Sequence, residues 1–254
     1  MVRREQAREH AQARAKEIAR KFLSHERLDR YSYGERPLRE EFIEVIRNRD
    51  HEEVGVVTRN AYGALVLNAA RAMFIDIDLP KEAILKSLLT RMRKGLGMTA
   101  LSQEERHSQR IDRWARENPT WGMRVYRTFG GFRCLVTDRV LDPAKESTLE
   151  ILRSLESDPL YIRLCQKQEC FRARLTPKPW RCEMEKPPSR YPWETPEAES
   201  KYRQWESRYQ RAASRYTTCK LVREIGTSRI HPDVQLILSL HDRLACQGTD
   251  RRLA

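Results

Sequence analysis

The sequence predicts an α+β fold in which a mixed or antiparallel sheet core is flanked by helices. Short runs rich in β-branched and aromatic residues, Val54 to Val57, Ala64 to Leu67 and Met73 to Leu79, follow one another closely. The clearest hairpin pattern, Met123 to Thr137, sets Gly130-Gly131 between two β-prone stretches. Helical patterns of period 3.6 lie before, between and after these runs.

Val2 to about Leu28 carries Ala11, Ala15, Ile18, Phe22 and Leu23 among dense charge, the pattern of a long amphipathic helix. Gly34 and Pro37 interrupt it, and Leu38 to Ile46 reads as a second helix, so residues 1–50 form an N-terminal helical segment. The strand runs open an α+β core over residues 51–185. Pro80 ends the third run and opens a helix, Lys81 to Lys94, stopped by Gly95 and Gly97. Ser102 followed by Glu105 is a capping-box pattern for a charged helix reaching Arg116. In the hairpin, a Gly130-Gly131 loop sets Phe129 opposite Phe132 and Thr128 opposite Arg133, with Tyr126, Thr128, Arg133 and Leu135 on one face. Helices over Ala144 to Glu156 and Pro159 to Gln168 follow. Cys170 to Thr176 reads as a strand with Arg172 and Arg174 on a common face. Residues 186–254 form a Pro-rich linker and a helix, strand and helix packed on the core: Glu197 to Arg215, Thr217 to Glu224 and Pro232 to Cys246.

Lys and Arg number 49 against 36 acidic residues, a net charge of +13. Such an excess concentrates polyanions, of which nucleic acid is the commonest in a cell, and the predominance of Arg suits bidentate phosphate contacts. No stretch of about 18 apolar residues is present, so no membrane span is expected. The first residues lack the apolar stretch of a secretory signal, which points to the cytoplasm. The six cysteines are expected to be reduced and mostly buried. No Cys-x-x-Cys pair is present and Cys165 with Cys170 is a poor zinc signature, so a site from Cys165, Cys170, Cys182 and a distant His is the lesser reading.

Chemistry concentrates in Met73-Phe-Ile-Asp-Ile-Asp-Leu-Pro80. In an extended strand Asp76 and Asp78 share a face, and two adjacent carboxylates repel unless a cation sits between them. Mg²⁺ or Mn²⁺, bound by one or two carboxylates and substrate phosphates, is the usual remedy. Downstream, Arg172, Arg174, Lys178 and Arg181, with Trp180 among them, form a candidate phosphate or template track. Basic residues interleaved with aromatics suit single strands. A solvated strand edge for the acids, ion pairing for Arg172 and Arg174, and core packing for Trp180 are the competing structural readings.

Taken in order, Ile75-Asp-Ile-Asp78, the hairpin Thr128-Phe-Gly-Gly-Phe-Arg-Cys-Leu-Val136 and the later basic strand resemble the catalytic core of the archaeo-eukaryotic primase superfamily. The resemblance spans roughly residues 54–185 and implies a primase-like palm. It implies a nucleotidyltransferase in DNA replication or repair, working with a DNA or RNA template and nucleoside triphosphates. In that family the Asp-x-Asp pair binds the catalytic metals, and a His after a small-residue turn contacts the incoming nucleotide. Arg133 stands here in place of that His, so Asp76, Asp78 and Arg133 become the catalytic set, and Thr128 joins the phosphate-binding residues. A third acid is implied, for which Asp158, Glu183 and Glu185 are the candidates. Arg133 can hold a phosphate but cannot exchange a proton near neutral pH. A catalytically inactive nucleic-acid-binding protein on the same fold, and a metal-dependent nuclease, are the alternative functions.

Overall fold

The computed structural model describes residues 39–79, 102–248 and 250–254. The helices expected over Val2 to Leu28 and Lys81 to Lys94 lie outside the described residues. Residues Leu38–Ala254 make one compact unit, with antiparallel sheets and flanking helices. Among the described residues, no helix is long and apolar enough to cross a membrane.

The first sheet has the order β1-β2-β3-β7, every neighbouring pair antiparallel: β1 Glu41–Arg47, β2 Glu53–Arg59, β3 Leu65–Ala69 and β7 Phe171–Arg174. The helix expected over Leu38 to Ile46 is corrected within the described residues, where β1 runs over Glu41–Arg47. Apolar residues at Phe42, Ile43, Val45 and Ile46 fit either period in so short a window. The ladder to β2 decides, reinforced by ion pairs from Glu41 to Arg59 and from Arg47 to Glu53.

The second sheet has the order β4-β6-β5-β9, again antiparallel: β4 Phe74–Asp78, β5 Gly122–Thr128, β6 Gly131–Val136 and β9 Cys219–Gly226. The short strands β8 Tyr216–Thr217 and β10 Arg252–Leu253 pair in parallel. The turn lies one residue earlier than expected, which moves every cross-strand partner by two residues. Tyr126 pairs with Arg133 and Arg127 with Phe132, which leaves Phe129-Gly130 as the loop. Gly131 belongs to the strand because a Cβ there would stand 1.9 Å from the Ile77 carbonyl oxygen, and Thr128 Oγ1 closes the turn by accepting from Gly131 N.

Helix α1, Gln103–Glu117, opens with the expected capping box: Ser102 Oγ accepts from Glu105 N and Glu105 Oε2 accepts from Ser102 N. Helices α2 Glu146–Ser154, α3 Pro159–Gln168, α4 Pro196–Ala213 and α5 Pro232–Ala245 follow. One apolar core joins Val57, Leu67 and Phe171 of the first sheet to Phe74, Tyr126 and Leu135 of the second. Leu149 and Leu152 of α2 and Val234, Ile237 and Leu238 of α5 complete it. A second, aromatic cluster of Tyr202, Trp205 and Tyr209 on α4 packs with Cys182 beneath the loop that follows β7.

Candidate functional site

Asp76 and Asp78 lie on β4 at two-residue spacing, as expected, and the register pairs Asp76 with Arg133 and Asp78 with Gly131 on β6. The strand is the outermost of its sheet rather than central. Its open edge is used at Asp76, whose carbonyl accepts from Asp158 N (2.9 Å) and Ser157 Oγ (2.9 Å). That contact brings Asp158 beside the acid pair. Asp158 also caps α3, its Oδ1 accepting from Leu160 N and Tyr161 N. Glu183 and Glu185 are engaged elsewhere, Glu183 accepting from Tyr216 OH and Glu185 pairing with Arg208.

Burial first, then repulsion from Asp76 and Asp158, raises the Asp78 carboxyl above its ordinary range, against the opposing pull of Lys178 and Arg174. Asp78 thus feels repulsion from Asp76 and Asp158, the condition that a divalent cation relieves, although the three carboxylates do not bring their oxygens within 4.8 Å of one another.

The cations come from β7 and the loop after it. Pro177 and Pro179 fix the backbone on either side of Lys178, and Tyr209 OH donates to the Pro177 carbonyl (2.5 Å) while also bonding Thr176 Oγ1 (2.9 Å). Pro179–Arg181 form a single 3₁₀ turn. This bracing sets Lys178 and Arg181 within electrostatic reach of both Asp76 and Asp78. Burial, followed by the charges of Arg174 and Arg181, lowers Lys178 to about 8. Arg174 is lowered to about 10 by burial and then by Arg133, and its Nε has no hydrogen-bond partner among the described residues. Crowded cations of this kind are relieved by an anion.

Arg133 is not where a triphosphate can reach it. Arg133 faces Asp76 directly across the two strands, on the same side of the sheet, and is buried there at 3% exposure. There Nη1 donates to the Arg174 carbonyl (2.9 Å) and Nε stands 3.6 Å from Asp76 Oδ1. The expectation that Arg133 steadies the triphosphate is therefore corrected, since its geometry positions Asp76 and the backbone of Arg174. Arg172 is likewise apart from the cluster, bound to Glu40 (2.7 Å) and Gln168 (3.1 Å). Thr128 is buried and spends its hydroxyl on the hairpin. Trp180 is not core packing: it is 45% exposed, with Tyr62 edge-on at 5.1 Å. Phe129, at the hairpin tip, is 44% exposed under the Arg181 guanidinium, 4.2 Å from the ring centroid.

A separate polar group lies under α5, where Cys219 Sγ, His241 Nε2 and Cys246 Sγ fall within 4.8 Å of one another. Sequence spacing gave no hint of it, because Cys219 is far from the other two in the chain. The one legible signal is His241 on the buried face of α5 with Val234, Ile237 and Leu238. The grouping of Cys165, Cys170 and Cys182 does not form; Cys182 Sγ instead donates to the Lys178 carbonyl. All six cysteines are free.

Comparison with family models, curated proteins and solved structures finds no match to this chain.

Proposed function

We propose that this chain is a divalent-metal-dependent nucleotidyltransferase of the primase-polymerase type, extending a nucleic-acid strand from nucleoside triphosphates. The observation that supports this reading best is the meeting of Asp76, Asp78 and Asp158 with Arg174, Lys178 and Arg181 in one electrostatic neighbourhood. Carboxylates alone suit a metal and cations alone suit phosphate. Their meeting suits the metal complex of a triphosphate.

Asp76 and Asp78 are the residues to hold Mg²⁺ or Mn²⁺, and Asp158 is the third acid nearest to hand, which would have to close on the pair when the cation binds. A divalent cation held by these carboxylates would supply polarisation of the α-phosphate and lower the proton affinity of a 3′-hydroxyl. The attacking oxygen forms the new phosphodiester, pyrophosphate leaves, and the hydroxyl proton passes to solvent. Arg174, Lys178 and Arg181 neutralise the charge that builds on the departing phosphates. Arg133, buried beside Asp76 on the same face, acts by positioning it. Trp180, 45% exposed, offers a ring for a base to stack on, whereas Phe129 already carries the Arg181 guanidinium on one face.

One observation favours a second reading, a nucleic-acid-binding protein without catalysis. The Arg133 guanidinium beside Asp76 already neutralises part of the charge that a metal needs. Primer extension or de novo synthesis with Mn²⁺, for wild type and the Asp76→Asn, Asp78→Asn double variant, decides between them. Asn keeps size and polarity but removes the metal-holding charge, so incorporation falls by orders of magnitude in the variant. If the wild type incorporates nothing on any template yet binds DNA or RNA as well as the variant does, the binding protein is correct. Shortening of a labelled strand instead of extension identifies a nuclease.

A further inference from the structure

We infer that Cys219, His241 and Cys246 form a zinc-class metal site, distinct from the acid pair and independent of whether the chain transfers nucleotides. Cys219 opens β9, His241 lies on the last turns of α5, and Cys246 is that helix's C-cap residue. The fold thus closes a helix end onto a strand start through three soft ligands.

The distances suit one ion. Cys219 Sγ lies 3.4 Å from Cys246 Sγ and 3.7 Å from His241 Nε2. Zn–S of about 2.3 Å and Zn–N of about 2.0 Å in a tetrahedron place the ligand atoms about 3.5–3.8 Å apart. The supporting groups are those a histidine ligand requires. His241 Nδ1 is 2.9 Å from Asp242 Oδ1, so Nδ1–H donates to the carboxylate. That leaves the Nε2 lone pair shared between Cys219 Sγ (3.7 Å) and Arg133 Nη1 (3.4 Å), the guanidinium contact being the one a metal would displace. Asp242 is itself fixed by Tyr126 OH (2.8 Å) and Arg124 Nη1 (2.7 Å). Tyr126 and Phe74 flank the imidazole at 4.8 and 5.2 Å. Cys219 and His241 are fully buried, while Cys246 is half-buried and provides the way in for the ion and for a solvent fourth ligand.

Charge balance agrees. Two thiolates neutralise a divalent cation, so the loaded site adds no net charge beside Arg133, whose Nη1 is 3.4 Å from His241 Nε2. Thiolate and imidazole ligands select zinc over the oxygen-loving Mg²⁺ or Mn²⁺ expected at Asp76 and Asp78. The two centres therefore take different metals.

The test uses the full-length protein purified without chelator from zinc-supplemented cells. Elemental analysis should find stoichiometric zinc, lost in the Cys219→Ser, Cys246→Ser double variant. Cys170→Ser, and the Asp76→Asn, Asp78→Asn variant, should keep it. Cobalt loaded into the stripped wild type should give thiolate-to-metal charge transfer and intense tetrahedral bands, a readout that needs no variant to fold. A folded wild type that takes up neither zinc nor cobalt overturns the site. So does zinc retained by the double cysteine variant, zinc lost with the acid pair, or isolation of the chain with a Cys219–Cys246 disulfide.

Discussion

Asp78 and Lys178 show opposite consequences of one crowded neighbourhood. The folded state raises the Asp78 carboxyl, through burial and then Asp76 and Asp158, so its charged form is disfavoured relative to the unfolded chain. Above the folded pKa this group subtracts from stability, and the penalty fades as pH falls through that value towards the unfolded one, about 4. Asp78→Asn should therefore raise the metal-free Tm at neutral pH, with a gain that shrinks on acidification, and Mn²⁺ should stabilise the wild type but not the variant. A lower Tm at neutral pH would mean that repulsion is not what burdens this site. Lys178 is held down to about 8 by burial and then by Arg174 and Arg181. Affinity for a nucleoside triphosphate, measured by calorimetry, should fall as pH climbs above about 8, whereas Lys178→Arg should keep binding to higher pH because a guanidinium stays charged. A profile identical in both proteins removes Lys178 from the phosphate contacts. At this scale the acids and the Pro-Lys-Pro-Trp-Arg cations were legible, since strand periodicity and paired prolines act locally. The buried place of Arg133 was not, because it depends on which residue of β4 it meets and on the helix packed above.

Among the elements, the hairpin shows where local reading stops. A Gly-Gly pair between β-prone runs announces a turn, yet either glycine can lie in it. The choice was made by β4, whose Ile77 carbonyl would stand 1.9 Å from a Cβ at residue 131, while a Cβ at residue 130 meets only Asp78 Oδ1 at 3.4 Å. Gly131→Ala should accordingly cost about 1–3 kcal/mol or more by overpacking. It should also disturb Asp78, which is held between Ile77 and Leu79 on the contacted strand. Gly130→Ala should be near neutral. Urea unfolding of both variants checks the pair, and equal losses would mean that the register is not set by this contact. The same dependence on a partner explains β1, whose four apolar residues are ambiguous until β2 pairs with them. The capping box of α1 was legible because all its bonds lie within one turn.

For the whole molecule, the α+β class followed from the mixture of periods, but the division into two four-stranded sheets and a short parallel pair did not. β3 joins β7 across more than half of the core, and β5 joins β9 past three helices, pairings that no window of sequence contains. Net charge, by contrast, needs no fold to be read, and +13 predicts binding to nucleic acid wherever the charge lies. The proposed function would put that contact at Lys178 and Arg181, which lie within electrostatic reach of the acid pair beside the exposed Trp180. A diffuse surface and a local track differ in their salt dependence. Each phosphate neutralised releases condensed counterion, so the logarithm of affinity for a single-stranded oligonucleotide should fall linearly with the logarithm of salt between roughly 50 and 200 mM. Replacing Lys178 and Arg181 together by Gln should lower that slope by about two, one for each lost contact. Trp180→Ala should weaken binding by about 1–3 kcal/mol with the slope unchanged, because stacking carries no counterion. If the Gln variant keeps the wild-type slope, the nucleic acid is held by the general basic surface, and the acid pair is not on its path.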